Sequence, residues 1–191
     1  MKPIKSGRII KTGETLLLLP GEVWFGTGEG VLYTLLGSCV AMTIWHPRYR
    51  AGGMCHFLLP SRPGPQPAME LDGRYGEEAV RLLLQEAAAA GCDARECEIG
   101  LYGGGRMFGP AADDPAARNA ALQVPQRNIE QARLVVGTLG LPVAKEHLGG
   151  AGHRQIRMSL ADGEVRARQT PLGFTREALL RVAGEARAPS R

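Results

Sequence analysis

"TLLGSCVAMTIWHPRYRAGGMCHFLLP", residues 34–60, decides how the rest of the chain is read. Two apolar runs, 31–45 and 51–59, flank "HPRYR", and Pro47 punctuates the segment between them, so the spacing predicts an antiparallel hairpin. With the turn centred near Pro47 or Arg48, facing residues carry numbers that sum to 95 or 96, and Cys39 plus His56 makes 95. In that register the two are cross-strand neighbours with Cβ atoms about 5 Å apart. A slip of one residue would send His56 to the opposite face.

A free thiol titrates near pH 8.5, and only its thiolate attacks carbonyls well, so an adjacent histidine that takes the proton makes Cys39 a candidate nucleophile. The same histidine can return a proton to a departing amine. Gly37 and Ser38 leave room for a substrate beside the backbone, whose N–H groups can stabilise an oxyanion. Cysteine is also among the most buried residue types, so the spacing alone leaves a plain core pair open. Cys55 should point to the other face of its strand and pack in the core. Cys92 and Cys97 have no candidate base near them in sequence and read as structural.

The chain has 191 residues, long enough for one domain with a proper core, and 44% hydrophobic against 22% charged residues is a globular profile. Net charge is only +4, and no basic run interleaves with aromatics, which argues against nucleic acid as a partner. "MKPIKSGRIIKTGE" has no apolar core of a secretory signal, and no apolar run is long enough for membrane insertion. The expected compartment is the cytoplasm, where the four cysteines stay reduced. They form no C-x-x-C and the four histidines no H-x3-H, so neither a metal nor another cofactor is called for.

Outward from the hairpin, 14–19 and 22–25 read as strands, and "GTGEG" at 26–30 reads as a loop without the spacing of a phosphate-binding motif. Ala79, Val80, Leu83, Leu84 and Ala87 recur at helical spacing, predicting a helix from about 75 to 90 that Gly91 ends. "RECEIGLYGGG" (95–105) predicts a strand running into a glycine-rich loop, and 127–139 a second helix stopped by Gly140. Strands at 155–160 and 164–169 join through "ADG", and a final amphipathic helix is expected at 176–186. Strands mostly adjacent in sequence, mixed with helices, give an α+β class.

"LLGSCVAM" followed by "GGMCHFLLP" resembles the CheD family, the chemoreceptor glutamine deamidases of bacterial chemotaxis. Asp72-Gly73-Arg74-Tyr75, "YGGGRMF" (102–108), "QRNIE" (126–130) and "EHLGGAGHRQIRM" (146–158) resemble later family blocks in the same order, so the resemblance covers roughly residues 30 to 170. It leaves 171–191 as a basic C-terminal helix or tail of the single domain. His46-Pro47, Pro125 and Glu146 depart from the family pattern at positions that turn chemistry can absorb, and His46 reads as a turn residue.

The resemblance implies hydrolysis of glutamine side-chain amides on methyl-accepting chemotaxis receptors, with Cys39 as nucleophile and His56 as base. The family's third catalytic group is a threonine a few positions upstream. Strict counting gives Tyr33 and the hydroxyl type favours Thr34, which is the residue named here. On an uninterrupted strand, however, Tyr33 would share the face of Cys39 and Thr34 would not. The implied fold has stacked β-sheets with helices packed on the outside, similar to the deamidase domain of cytotoxic necrotizing toxins. Gly103, Gly104, Gly105 and Phe108, with Met107, read either as part of a substrate groove or as a tight turn with two core anchors. Arg127 and Arg154 are open between internal bridges and contacts to an acidic receptor. Two alternatives to hydrolysis stand beside it: acyl transfer to an amine through the same thioester, and a docking module that binds receptors or a CheC-type phosphatase.

Overall fold

Turn residues cut the chain into short elements. The computed structural model describes residues 8–64, 70–107 and 115–171. In chain order the strands are β1 (Ile9–Ile10), β2 (Thr15–Leu17), β3 (Val23–Gly28), β4 (Val31–Leu36), β5 (Val40–His46) and β6 (Ala51–Phe57). Helix α1 (Gly76–Ala89), β7 (Glu98–Gly103), helix α2 (Pro115–Thr138), β8 (Val143–Leu148), β9 (His153–Ser159) and β10 (Val165–Thr170) follow. The strands form a six-stranded sheet in the order β1-β3-β6-β5-β7-β8 and a four-stranded sheet in the order β10-β9-β4-β2. The expected α+β class with two sheets and helices holds.

The larger sheet is covered on both faces, so its central strands are apolar throughout rather than alternating. Val40, Met42, Ile44, Cys55 and Phe57 pack with Ala79, Val80, Leu83, Ile129 and Val135 of the helices. Ala41, Trp45 and Met54 pack with Leu32, Leu36, Ile156 and Met158 of the smaller sheet. The glycine pair in β6 permits this sandwiching. A Cβ at Gly52 would lie 2.6 Å from Met158 Cε, and one at Gly53 would lie 2.4 Å from Trp24 O and 2.9 Å from Leu83 Cδ1. Gly52 thus serves the sheet–sheet contact and Gly53 the sheet–helix contact.

Several expectations change. Residues 31–45 are not one strand: the run breaks after Leu36, placing β4 in the smaller sheet and β5 in the larger. The β5–β6 register pairs Ala41 with His56 and Val40 with Phe57, so paired numbers sum to 97. The turn is centred one residue further along than assumed, between Arg48 and Tyr49, but a shift of two from 95 preserves parity, and His56 stays on the face of Ala41, where Cys39 also packs. "GTGEG" is mostly strand, since Gly26 and Thr27 pair with Gly52 and Ala51. Helix α2 starts well before Arg127 and contains Pro125. β8, which had no counterpart in the sequence reading, runs parallel to β7. The helix expected at 176–186 lies outside the described residues.

Candidate active site

Gly37-Ser38-Cys39 is the corner where the chain leaves one sheet for the other. Each of its carbonyls has a donor. Gly105 N–H donates to Gly37 O (2.8 Å), Asn128 Nδ2 to Ser38 O (3.0 Å) and Gly104 N–H to Cys39 O (2.7 Å). Gly103 has φ 116°, and a Cβ there would meet Cys39 O at 2.2 Å, so only glycine lets the two backbones approach this closely. Gly103, Gly104 and Gly105 are buried. They back the cysteine corner, and the N–H groups of Gly104 and Gly105 are already in use there. Met107 lies against Gly37. Phe108 lies outside the described residues.

His56 is buried between the sheets, with Nδ1 2.8 Å from Thr34 Oγ1. Thr34 Oγ1 also lies 2.8 Å from Leu18 O, which can only accept. One tautomer satisfies all three groups: the hydroxyl donates to Leu18 O and accepts from Nδ1–H. That leaves Nε2 as the bare lone pair, without a hydrogen-bond partner among the described residues. The proton position is thus assigned from the hydrogen-bond network. Thr34 therefore orients the imidazole. Tyr33 faces away on β4, under the Arg157 guanidinium at 5.8 Å. The face argument that favoured Tyr33 fails because β4 and β5 belong to different sheets, so alternation does not carry across the corner.

Electrostatics complete the picture. Burial pushes the His56 imidazole down to about 4, although the Leu18 carbonyl and the Glu22 charge pull it back upward. Burial also pushes the Cys39 thiol up, outweighing its own N–H and the Ser38 hydroxyl. The resting pair is therefore thiol and neutral imidazole, not a preformed ion pair. The pair shares a face without a hydrogen bond to Nε2.

Cys39 is half-buried, whereas Cys55, Cys92 and Cys97 are buried, and burial pushes Cys55 and Cys97 up to about 12. Arg154 is an internal bridge, donating to Gly103 O (2.8 Å), Gly149 O and Gln169 Oε1 (3.2 Å). Arg127 is exposed on α2. Asn128 is the residue whose role the sequence reading missed. It is fully buried, and its Nδ2 also donates to Leu58 O at 2.8 Å, two residues past His56. Its signal was a polar side chain on the apolar face of Ile129, Ala132 and Val135. Among the described residues, no three His, Cys, Asp or Glu side chains cluster as metal ligands, and no helix is long and apolar enough to cross a membrane.

Comparison with known proteins bears on this geometry. A family model described as CheD chemotactic sensory transduction matches residues 58–169, beginning just past His56. A protein of Albidiferax ferrireducens, "Probable chemoreceptor glutamine deamidase CheD 2", is 42% identical over 159 residues, 83% of this chain and 89% of its own length. A match of that length spans residues 39 to 128 of this chain. "Probable chemoreceptor glutamine deamidase CheD" of Pseudomonas syringae pv. tomato is 41% identical over 84% of this chain and 92% of its own. A more distant relative, "Probable chemoreceptor glutamine deamidase CheD 1" of Leptospira interrogans, is 33% identical over 78% and 89% respectively.

Proposed function

The chain belongs to the CheD family, and from that premise we propose that it hydrolyses the side-chain amide of particular glutamines on methyl-accepting chemotaxis receptors, giving glutamate and ammonia. The observation that carries the mechanism is the chain Leu18 O–Thr34 Oγ1–His56 Nδ1, which leaves Nε2 bare on the face of Cys39. A docking role alone gives no reason to bury a histidine with one ring nitrogen unpaired.

Cys39 Sγ attacks the glutamine δ-carbon while His56 Nε2 takes the thiol proton. The oxyanion is received by the N–H groups of Ser38 and Cys39, which take no part in the backbone hydrogen bonds that hold this corner. The imidazolium so formed is a ready acid because its burial disfavours charge, and it passes the proton to the departing ammonia. The C–N bond breaks and a thioester remains. His56 then takes a proton from water as the water attacks the thioester, and returns it to Cys39 Sγ as glutamate leaves. Thr34 keeps Nδ1–H fixed throughout. Gly103, Gly104 and Gly105 hold the nucleophile's corner rather than touching substrate.

The test is intact mass and ammonia release from a receptor cytoplasmic fragment, with Cys39→Ala and His56→Ala as controls. Glutamine-to-glutamate conversion by the wild type alone supports the proposal. A wild type that converts no glutamine, with Cys39 no more readily alkylated than the buried cysteines, would sink it.

A further inference from the structure

Asn128 sits at the junction of nucleophile and base, yet it touches neither side chain. Its Nδ2 spends one N–H on Ser38 O (3.0 Å) and the other on Leu58 O (2.8 Å). These carbonyls can only accept, so the amide cannot be flipped, and Oδ1 has no donor among the described residues. What this side chain contributes is therefore read from the two carbonyls it holds, one at the cysteine corner and one at the end of the strand that carries His56.

Those groups are two peptide units. Both units are trans, so in each the C=O and the N–H point in opposite directions. Ser38 C=O is turned toward Asn128, and the Cys39 N–H of the same unit therefore points away from it, on the side of its own thiol. Gly37 C=O is turned toward Gly105 N–H, which directs the Ser38 N–H in the same manner. The second bond, to Leu58 O, ties this corner to the end of the strand that carries His56.

Resting on the deamidase reading, we infer that Asn128 is the positioning residue of the oxyanion site: by holding Ser38 O and Leu58 O together it aims the Cys39 N–H and fixes its distance from His56. It acts on the oxyanion that develops in the transition state and not on substrate binding.

Asn128→Ala in the full chain, assayed on the receptor fragment, should lower kcat about 100-fold, the scale of a misplaced oxyanion donor. KM should stay within about threefold, because Asn128 touches neither the thiol nor the imidazole. Asn128→Asp gives a signature that a packing defect would not. Its carboxylate repels both carbonyls and only the protonated acid can donate, so its activity relative to wild type should rise as pH is lowered from 7 to 5. A folded Asn128→Ala with kcat within threefold of wild type, or a flat Asn128→Asp ratio, would overturn the inference. A crystal structure of Asn128→Ala tests it without turnover. The Ser38–Cys39 peptide should be rotated there, and an unmoved peptide would overturn the inference even if the wild type proved to be no deamidase.

Discussion

Two histidines stand at opposite ends of the β5–β6 pair, and they are equally hidden: His46 is 2% exposed and His56 1%. At the closed end, both nitrogens of His46 are spoken for. Nδ1 accepts from Tyr49 N–H at 3.4 Å, Nε2 meets the Glu96 carboxylate at 3.3 Å, and the ring packs on Tyr49. At the open end, His56 has one nitrogen fixed by Thr34 and one bare. Burial therefore does not tell the two histidines apart. What marks His56 is a ring nitrogen without a hydrogen-bond partner among the described residues, on the face of a thiol, at a corner whose three carbonyls are held.

The comparison can be broken most decisively at the open end. Cys39→Ala and His56→Ala should each reduce kcat/KM by about 10⁴-fold or more, the scale seen when a nucleophile or its base is removed. The same assay on His46→Ala should read within about twofold of wild type. A folded His46→Ala that lost activity as His56→Ala does would erase the distinction.

Thr34 and Tyr33 sharpen it. Thr34→Ala frees the imidazole and should lower kcat about 10- to 100-fold, as losses of an orienting partner do, while Thr34→Ser should restore most of the rate. Tyr33→Phe should be indistinguishable from wild type in kcat. The reverse order would mean that the tyrosine, not the threonine, serves the site.

The pH response follows from His56. Its folded value of about 4 lies below the unfolded value near 6.5. Below pH 6.5 the unfolded chain binds a proton that the fold refuses, so stability falls as pH drops toward 4, by about 3 kcal/mol in all. The acid limb of kcat/KM should lie near pH 4. Denaturant titrations across pH 7 to 4 should show the loss in wild type, and His56→Phe should flatten it. Since the thiol is raised, alkylation of Cys39 should climb through and above pH 8.5; a plateau already at pH 6 would reveal the ion pair that burial disfavours.

The smallest effect on activity is expected at the closed end itself. His46→Ala removes contacts to Tyr49 and Glu96 and should cost about 1–3 kcal/mol of stability, seen as a lower Tm with kcat retained. Equal losses of Tm and kcat would show that the two ends are coupled.

Much of this was legible in the chain. Pro47 and the apolar runs beside it predicted the hairpin, the helical spacing of Ala79 to Ala87 predicted α1 nearly to its ends, and the parity of 39 and 56 put the two side chains on one face even though the register was off by two. The motifs around Cys39 and His56 pointed to the family. Local patterning carries such information because strand alternation and helical periodicity are properties of neighbours in sequence.

What the sequence left open turned on which sheet a strand joins. "VLYTLLGSCVAM" reads as one continuous strand, and on one strand Tyr33 belongs with Cys39. Only the tertiary structure splits it at Gly37-Ser38, sends β4 to the smaller sheet, and brings Thr34 onto His56 from across the sandwich. Likewise Asn128 lies about ninety positions from Ser38 and seventy from Leu58, and its two bonds exist only because α2 packs over that corner. The sequence determined most of the elements and singled out Cys39 and His56 as the candidate pair. Packing between layers decided the groups that orient them, because those partners come from elements whose spacing along the chain carries no periodic signal.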